Sequence, residues 1–167
     1  MNRFAVPLVL SALVSGGCKA QEDAPPEGSV VAQSPPPTPF AGVRTVQAPS
    51  TGDVREAVRQ AVSEAGRERH RVVVYVGATW CEPCQQFHQA AAAGSLDAIF
   101  PDLTLVEFDL DRDRERLNQA GYASKYIPLF ALPGPDGSAS GKQVEGGIKG
   151  DAAVAFMAPR LKELLRQ

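Results

Sequence analysis

The run Val72-Val73-Val74-Tyr75-Val76, followed closely by Trp80-Cys81-Glu82-Pro83-Cys84, decides how this chain is read. Residues 72–76 are apolar and mostly β-branched, the composition of a buried strand. After Cys84 the chain continues Gln85-Gln86-Phe87-His88-Gln89-Ala90-Ala91-Ala92-Ala93, a helical composition that stops near Gly94. Both cysteines therefore stand where a strand hands over to a helix N-terminus. The free N–H groups and the positive end of the helix dipole favour a thiolate there. Pro83 falls in the first turn, where its missing N–H is no loss. A C-x-x-C at such a junction is a redox motif.

Composition narrows the alternatives. Net charge is −2 and the pI about 5.7, with no basic stripe, which argues against nucleic acid as a partner. Apolar content of 44% suits a packed core. The cysteines are Cys18, Cys81 and Cys84, so Cys18 is left over once the motif pair closes on itself.

The N-terminus gives Cys18 a use. Arg3 supplies a positive n-region, Phe4 to Val14 form an apolar stretch of 11 residues, and the small Gly16 and Gly17 precede Cys18. The stretch is too short to span a bilayer. Residues 1–17 resemble a bacterial lipoprotein signal peptide, which implies cleavage before Cys18 and lipid on its sulfur. Ser15 departs from the aliphatic residue preferred at that place, and an ordinary cleaved signal is the alternative. Between Lys19 and Gly52 lie seven of the 14 prolines, so 18–52 reads as the anchor cysteine followed by a disordered, Pro-rich tether.

The folded domain is expected over 53–167. Asp53 caps a helix whose apolar stripe is Val54, Ala57, Val58, Ala61, Val62 and Ala65. Strand 72–76 and the cysteine helix follow. Leu103 to Leu110 is a second strand, with Leu103, Leu105 and Glu107 on one face. Asp111 to Ala120 reads as an exposed helix, Ile127 to Leu132 as a third strand, and Lys142 to Glu145 as a short fourth. Asp151 caps a last helix with Val154, Phe156, Met157, Leu161, Leu164 and Leu165 facing the core, and Pro159 should kink or break it. Parallel βαβ followed by a hairpin predicts a mixed central sheet with helices on both faces.

With these elements in place, the chain resembles the thioredoxin-like family over essentially all of 53–167. The marks are Trp80-Cys81-Glu82-Pro83-Cys84, which matches W-C-x-P-C, and Tyr122 followed by Ile127-Pro128. The resemblance implies a three-layer α/β/α fold, a cis bond before Pro128, and a substrate groove lined by Gly146 or Gly147. Two departures stand out. Many thioredoxins carry a buried Asp six residues before the first cysteine, where this chain has Tyr75. Their lysine on the next strand aligns with Glu107. As a whole the chain looks nearer to envelope thioredoxin-like proteins than to cytosolic thioredoxin.

The resemblance also assigns roles. Cys81 would attack a client disulfide and Cys84 would resolve the mixed disulfide. Trp80, Glu82, Pro83, Ile127 and Pro128 would support the site and the groove. His88 lies on the face of the helix that carries both cysteines, so His88 or Glu107 is the candidate for proton transfer. The bland alternatives are an exposed helix histidine and a solvated strand end. No cofactor beyond a redox-active Cys81–Cys84 disulfide is expected. The partners are disulfide-containing or dithiol client proteins, a membrane electron donor, and a membrane reached through lipid at Cys18. The expected function is reduction of disulfides in exported proteins at the bacterial envelope. Isomerase, oxidant and supplier of thiols for cytochrome maturation share the motif. Outside redox chemistry, a metal site from Cys81, Cys84 and His88 lacks the second ligand pair that zinc sites show. A non-catalytic module stapled by so small a loop gains little stability from it.

Overall fold

The computed structural model describes residues 41–167. The expected signal peptide, Cys18 and most of the expected tether lie outside the described residues. Within them the order is β1 (Gly42–Gln47), α1 (Val54–Arg67), β2 (Arg71–Gly77), α2 (Glu82–Ala92), β3 (Asp102–Asp109), α3 (Leu110–Gln119), β4 (Leu129–Pro133), β5 (Ala139–Glu145) and α4 (Ala153–Leu164). The five strands form one sheet in the order β1-β3-β2-β4-β5. β1 and β2 flank β3 in parallel, and β4 and β5 are antiparallel additions beside β2.

Alternation along the strands builds two cores. Val73 and Tyr75 of β2, Leu103 and Leu105 of β3 and Phe130 of β4 face one side, where Phe87 and Ala91 of α2 and Met157 and Leu161 of α4 cover them. Val72, Val74, Val76, Val106, Phe108, Leu129 and Ala131 face the other, beneath Val54, Val58 and Ala61 of α1 and Leu117 of α3. The result is the expected three-layer, thioredoxin-like α/β/α fold with a mixed sheet.

Several elements differ from the sequence reading. β1 lies inside the stretch expected to be tether, so the sheet begins at Gly42 rather than the domain at Asp53. β1 is an edge strand with only Val43 and Gly42 buried, and its pattern carries a weak signal. β4 starts at Leu129, which leaves Ile127 and Pro128 in the approach to the strand. Asp151 does not cap α4; the N-cap is Ala152, with no side-chain hydrogen bond. Pro159 sits inside α4 without ending it. Pro159 and Ala155, whose carbonyl loses its helical partner, are both exposed, so water can satisfy that carbonyl. Phe156 and Val62 prove to be exposed rather than core-facing.

α3 holds a feature that its polar sequence conceals. Asp113 is completely buried, 0% exposed, in a helix read as solvated. Its carboxylate accepts from Arg112 at 2.8 and 2.9 Å, from Arg116 at 2.9 and 3.1 Å, and from the Asp109 N–H at 3.0 Å. Arg116 reaches on to the carbonyls of Pro49 and Gly52 and lies 5.7 Å from the Phe108 ring centroid. One buried charge thus ties α3 to the connection between β1 and α1. Burial alone would raise the Asp113 pKa, but the hydrogen bonds from Arg112, Arg116 and the Asp109 N–H outweigh it and hold the carboxyl below its usual range.

Asp113→Asn should therefore lower stability at neutral pH by about 2–3 kcal/mol, because both arginines lose a charged partner. The folded pKa is depressed, so this stabilisation is present above the unfolded value of about 3.9 and is lost as pH falls through the folded value. Urea unfolding of the two proteins should show a gap at pH 7 that closes below about pH 4.

Candidate active site

The site forms where β2 ends. After Gly77 the chain turns through Ala78–Thr79–Trp80, with the Cys81 N–H donating to the Ala78 carbonyl at 3.1 Å. The Gln85 side chain closes the turn by donating to the Thr79 carbonyl. Cys81 is then the N-cap of α2, and Pro83 lies in the first turn. Cys81 and Cys84 are joined in a disulfide with a Cα–Cα distance of 5.2 Å. The Cys84 N–H points at Cys81 Sγ, 3.3 Å away, which is the donor that would stabilise a Cys81 thiolate.

Both cysteines are nearly buried, Cys81 at 5% and Cys84 at 4%, so exposure does not separate them in the oxidised chain. Their surroundings do. Cys84 is backed by Tyr75, whose hydroxyl donates to the Cys84 carbonyl at 3.1 Å. Burial first, and the Glu107 charge second, push the Tyr75 phenol far above its usual pKa, so it stays protonated as a donor.

A cavity of about 330 Å³ opens beside Cys84, lined among others by Gln47, Tyr75, His88, Glu107 and Arg112. Glu107 stands opposite Tyr75 in the β2–β3 register and opposite Gln47 in the β1–β3 register. The Gln47 amide donates to its carboxylate. His88 Nδ1 lies 3.5 Å from Glu107 Oε2. The structure thus brings the two proton-transfer candidates together next to the second cysteine. Gln47 escaped the sequence reading because β1 did.

Trp80 is 63% exposed while its indole N–H is fixed to Asp111 Oδ2 at 2.7 Å. The Ile127–Pro128 peptide bond is cis. Pairing of Val76 with Leu129 sets Pro128 beside the end of β2 from which the cysteine turn departs. Glu82 is half-buried, and its Oε1 accepts from the Gly150 N–H at 2.8 Å. Gly147 packs so closely that a Cβ there would lie 2.8 Å from Pro83 Cβ and 3.2 Å from Met157 Sδ. Among the described residues no group of three His, Cys, Asp or Glu is placed to hold a metal ion. The chemistry open to this arrangement is thiol–disulfide exchange at Cys81 and Cys84.

No family model and no curated protein matches the chain. Solved structures do. Thioredoxin O1 from Arabidopsis thaliana is 24% identical, with 75% of this chain and 96% of that one covered at a TM-score of 0.45. Trichomonas vaginalis thioredoxin is 20% identical over 74% of this chain and 96% of its own, at 0.46. A poplar thioredoxin h is 21% identical over 75% and 98%, at 0.45. In its own sheet order, helix layers and cysteine placement, the chain has a thioredoxin-like fold with a C-x-x-C disulfide at the N-terminus of its second helix.

Proposed function

We propose that the chain is a thiol–disulfide oxidoreductase of the bacterial envelope, held to a membrane through lipid on Cys18, and that it reduces disulfides in exported proteins. The observation that carries the redox part is the Cys81–Cys84 disulfide at the start of α2, with the Cys84 N–H directed at Cys81 Sγ. The envelope part is supported by the sequence before the described residues alone.

In the reduced chain the Cys81 thiolate attacks one sulfur of a client disulfide. The client S–S bond breaks, a Cys81–client mixed disulfide forms, and the first client sulfur leaves as a thiolate that takes a proton. Cys84 then gives up its proton and attacks Cys81 Sγ. The mixed disulfide breaks, the second client thiolate is released and protonated, and the Cys81–Cys84 disulfide remains. Two electrons pass from the dithiol to the client, and the two client thiolates take up two protons, one offset by the proton Cys84 gives up and one drawn from water. A membrane dithiol donor restores the pair by the reverse exchange. Glu107 and His88, beside Cys84 and paired with each other, are the groups suited to take its proton. Tyr75 is not, because its proton is held too tightly.

A Cys84→Ser chain should retain clients as stable mixed disulfides on Cys81. Release on reduction, read by mass spectrometry, identifies them; failure to form any adduct argues against Cys81 as the attacking thiol. Cys18 is expected at the mature N-terminus with a lipid on its sulfur, to be read by intact mass of the membrane fraction. An unmodified Cys18 would remove the anchor.

The direction of electron flow rests on Glu82. Glu82 is adjacent to Cys81 in sequence, and a like charge nearby disfavours the thiolate and hence the reduced form. The potential should therefore lie nearer thioredoxin's, about −270 mV, than a strong oxidant's, about −120 mV. Equilibration with glutathione buffers measures it. Glu82→Gln should raise the potential, and a wild-type value above about −180 mV would favour an isomerase or oxidant.

A further inference from the structure

The connection from β5 to α4, residues 145–150, is gripped at both ends by charged side chains from other elements. At its start Arg160 of α4 donates to the Gly146 carbonyl at 3.0 Å and to the Glu145 carbonyl at 3.1 Å. Its guanidinium also lies 4.9 Å from the centroid of the Phe156 ring. At its end Glu82 of α2 accepts from the Gly150 N–H at 2.8 Å. Between the two, Gly147 rests against Pro83 with no room for a Cβ.

The grip reaches the turn before β4. The Gly146 N–H donates to the Pro128 carbonyl at 2.9 Å. The Glu145 carboxylate accepts from the Lys125 N–H at 3.0 Å. Arg160 therefore holds, through two carbonyls, the same short segment that holds Pro128. Glu82 holds the far end of that segment to the helix that carries the cysteines. None of these contacts touches a sulfur atom.

We propose that Arg160 and Glu82 are positioning residues that fix residues 145–150 as a wall of the client groove, at a set distance from the Cys81–Cys84 pair. The proposal rests on the oxidoreductase reading, in which a client lies along Pro128 and this connection. A groove wall fixed in advance spares the client the cost of ordering it. Its loss is felt in client binding more than in the sulfur chemistry.

The test uses the full chain, pre-reduced and freed of reductant, against a disulfide-bonded peptide in single-turnover experiments. Half-saturation and maximal rate are read separately, with a small aromatic disulfide as a second probe that does not need the groove. Arg160→Gln should raise half-saturation for the peptide by about five- to tenfold, the scale of one lost hydrogen bond, with a much smaller change in maximal rate; Glu82→Ala should raise half-saturation to the same extent, and its maximal rate shifts as well because the charge adjacent in sequence to Cys81 is lost. Glu82→Gln keeps an acceptor oxygen in place and should bring half-saturation back toward wild type. Where Arg160→Gln does not fold, Arg160→Lys carries the same test with a smaller effect. Amide hydrogen exchange at Gly150 should quicken in Glu82→Ala, a readout that does not depend on activity. Unchanged half-saturation in both variants, or equal losses with the peptide and the small disulfide, overturns the proposal. A wild-type chain inert toward both probes overturns the oxidoreductase reading itself and the groove with it.

Discussion

The hydrogen bond from the Tyr75 hydroxyl to the Cys84 carbonyl ties the central strand to the helix that carries the disulfide. It works because the ring beneath it is immobile. Tyr75, Phe87 and Phe130 come from β2, α2 and β4, and their centroids lie 4.8 to 6.0 Å apart. Gly77 leaves the space the phenol needs, since a Cβ there would lie 3.2 Å from the Tyr75 hydroxyl oxygen. Three elements are thereby locked in one buried cluster, and the first turn of α2 inherits its position from them. Without that registration, neither the cysteine turn nor its approach to Pro128 would be defined.

A tyrosine at this place forbids an acid there. The carboxylate of the site stands instead one strand over, on Glu107, directly across from Tyr75 in the sheet register. The exchange separates two tasks. The phenol, kept protonated by burial and by the neighbouring carboxylate, is a permanent donor that holds the backbone. The carboxylate stands at the cavity beside Cys84, with Gln47 on one side and His88 on the other. Such a pair suits proton movement between a buried sulfur and solvent, because His88 is half exposed while Glu107 is largely covered.

The sequence was most legible where local pattern and burial agree. The run 72–76 is buried on both faces, so its β-branched composition sufficed. The cysteine helix was legible from composition and from the proline in its first turn. β1 was not, because only its first two residues are buried and its remaining stability comes from pairing with β3, some sixty residues away. Asp113 was not, because a buried carboxylate is tolerable only when Arg112 and Arg116 converge on it, and periodicity does not report convergence. The expected cap at Asp151 is absent, the N-cap being Ala152 with no side-chain hydrogen bond. The polar group that engages this connection comes from Glu82, distant in sequence, so no local pattern could reveal it.

The near-equal burial of the two cysteines shifts the weight of the proposed cysteine roles from access to electrostatics. As N-cap, Cys81 faces the free N–H groups of the first turn, and the Cys84 N–H points at its sulfur. Cys84 lies within that turn, against Tyr75, and borders the cavity of Glu107 and His88. The proposed thiolate thus has an N–H directed at it on Cys81, and the proposed proton acceptors stand at the cavity beside Cys84. The proposed attack by the first and resolution by the second draw on this difference in surroundings. They do not require the first cysteine to be the more exposed.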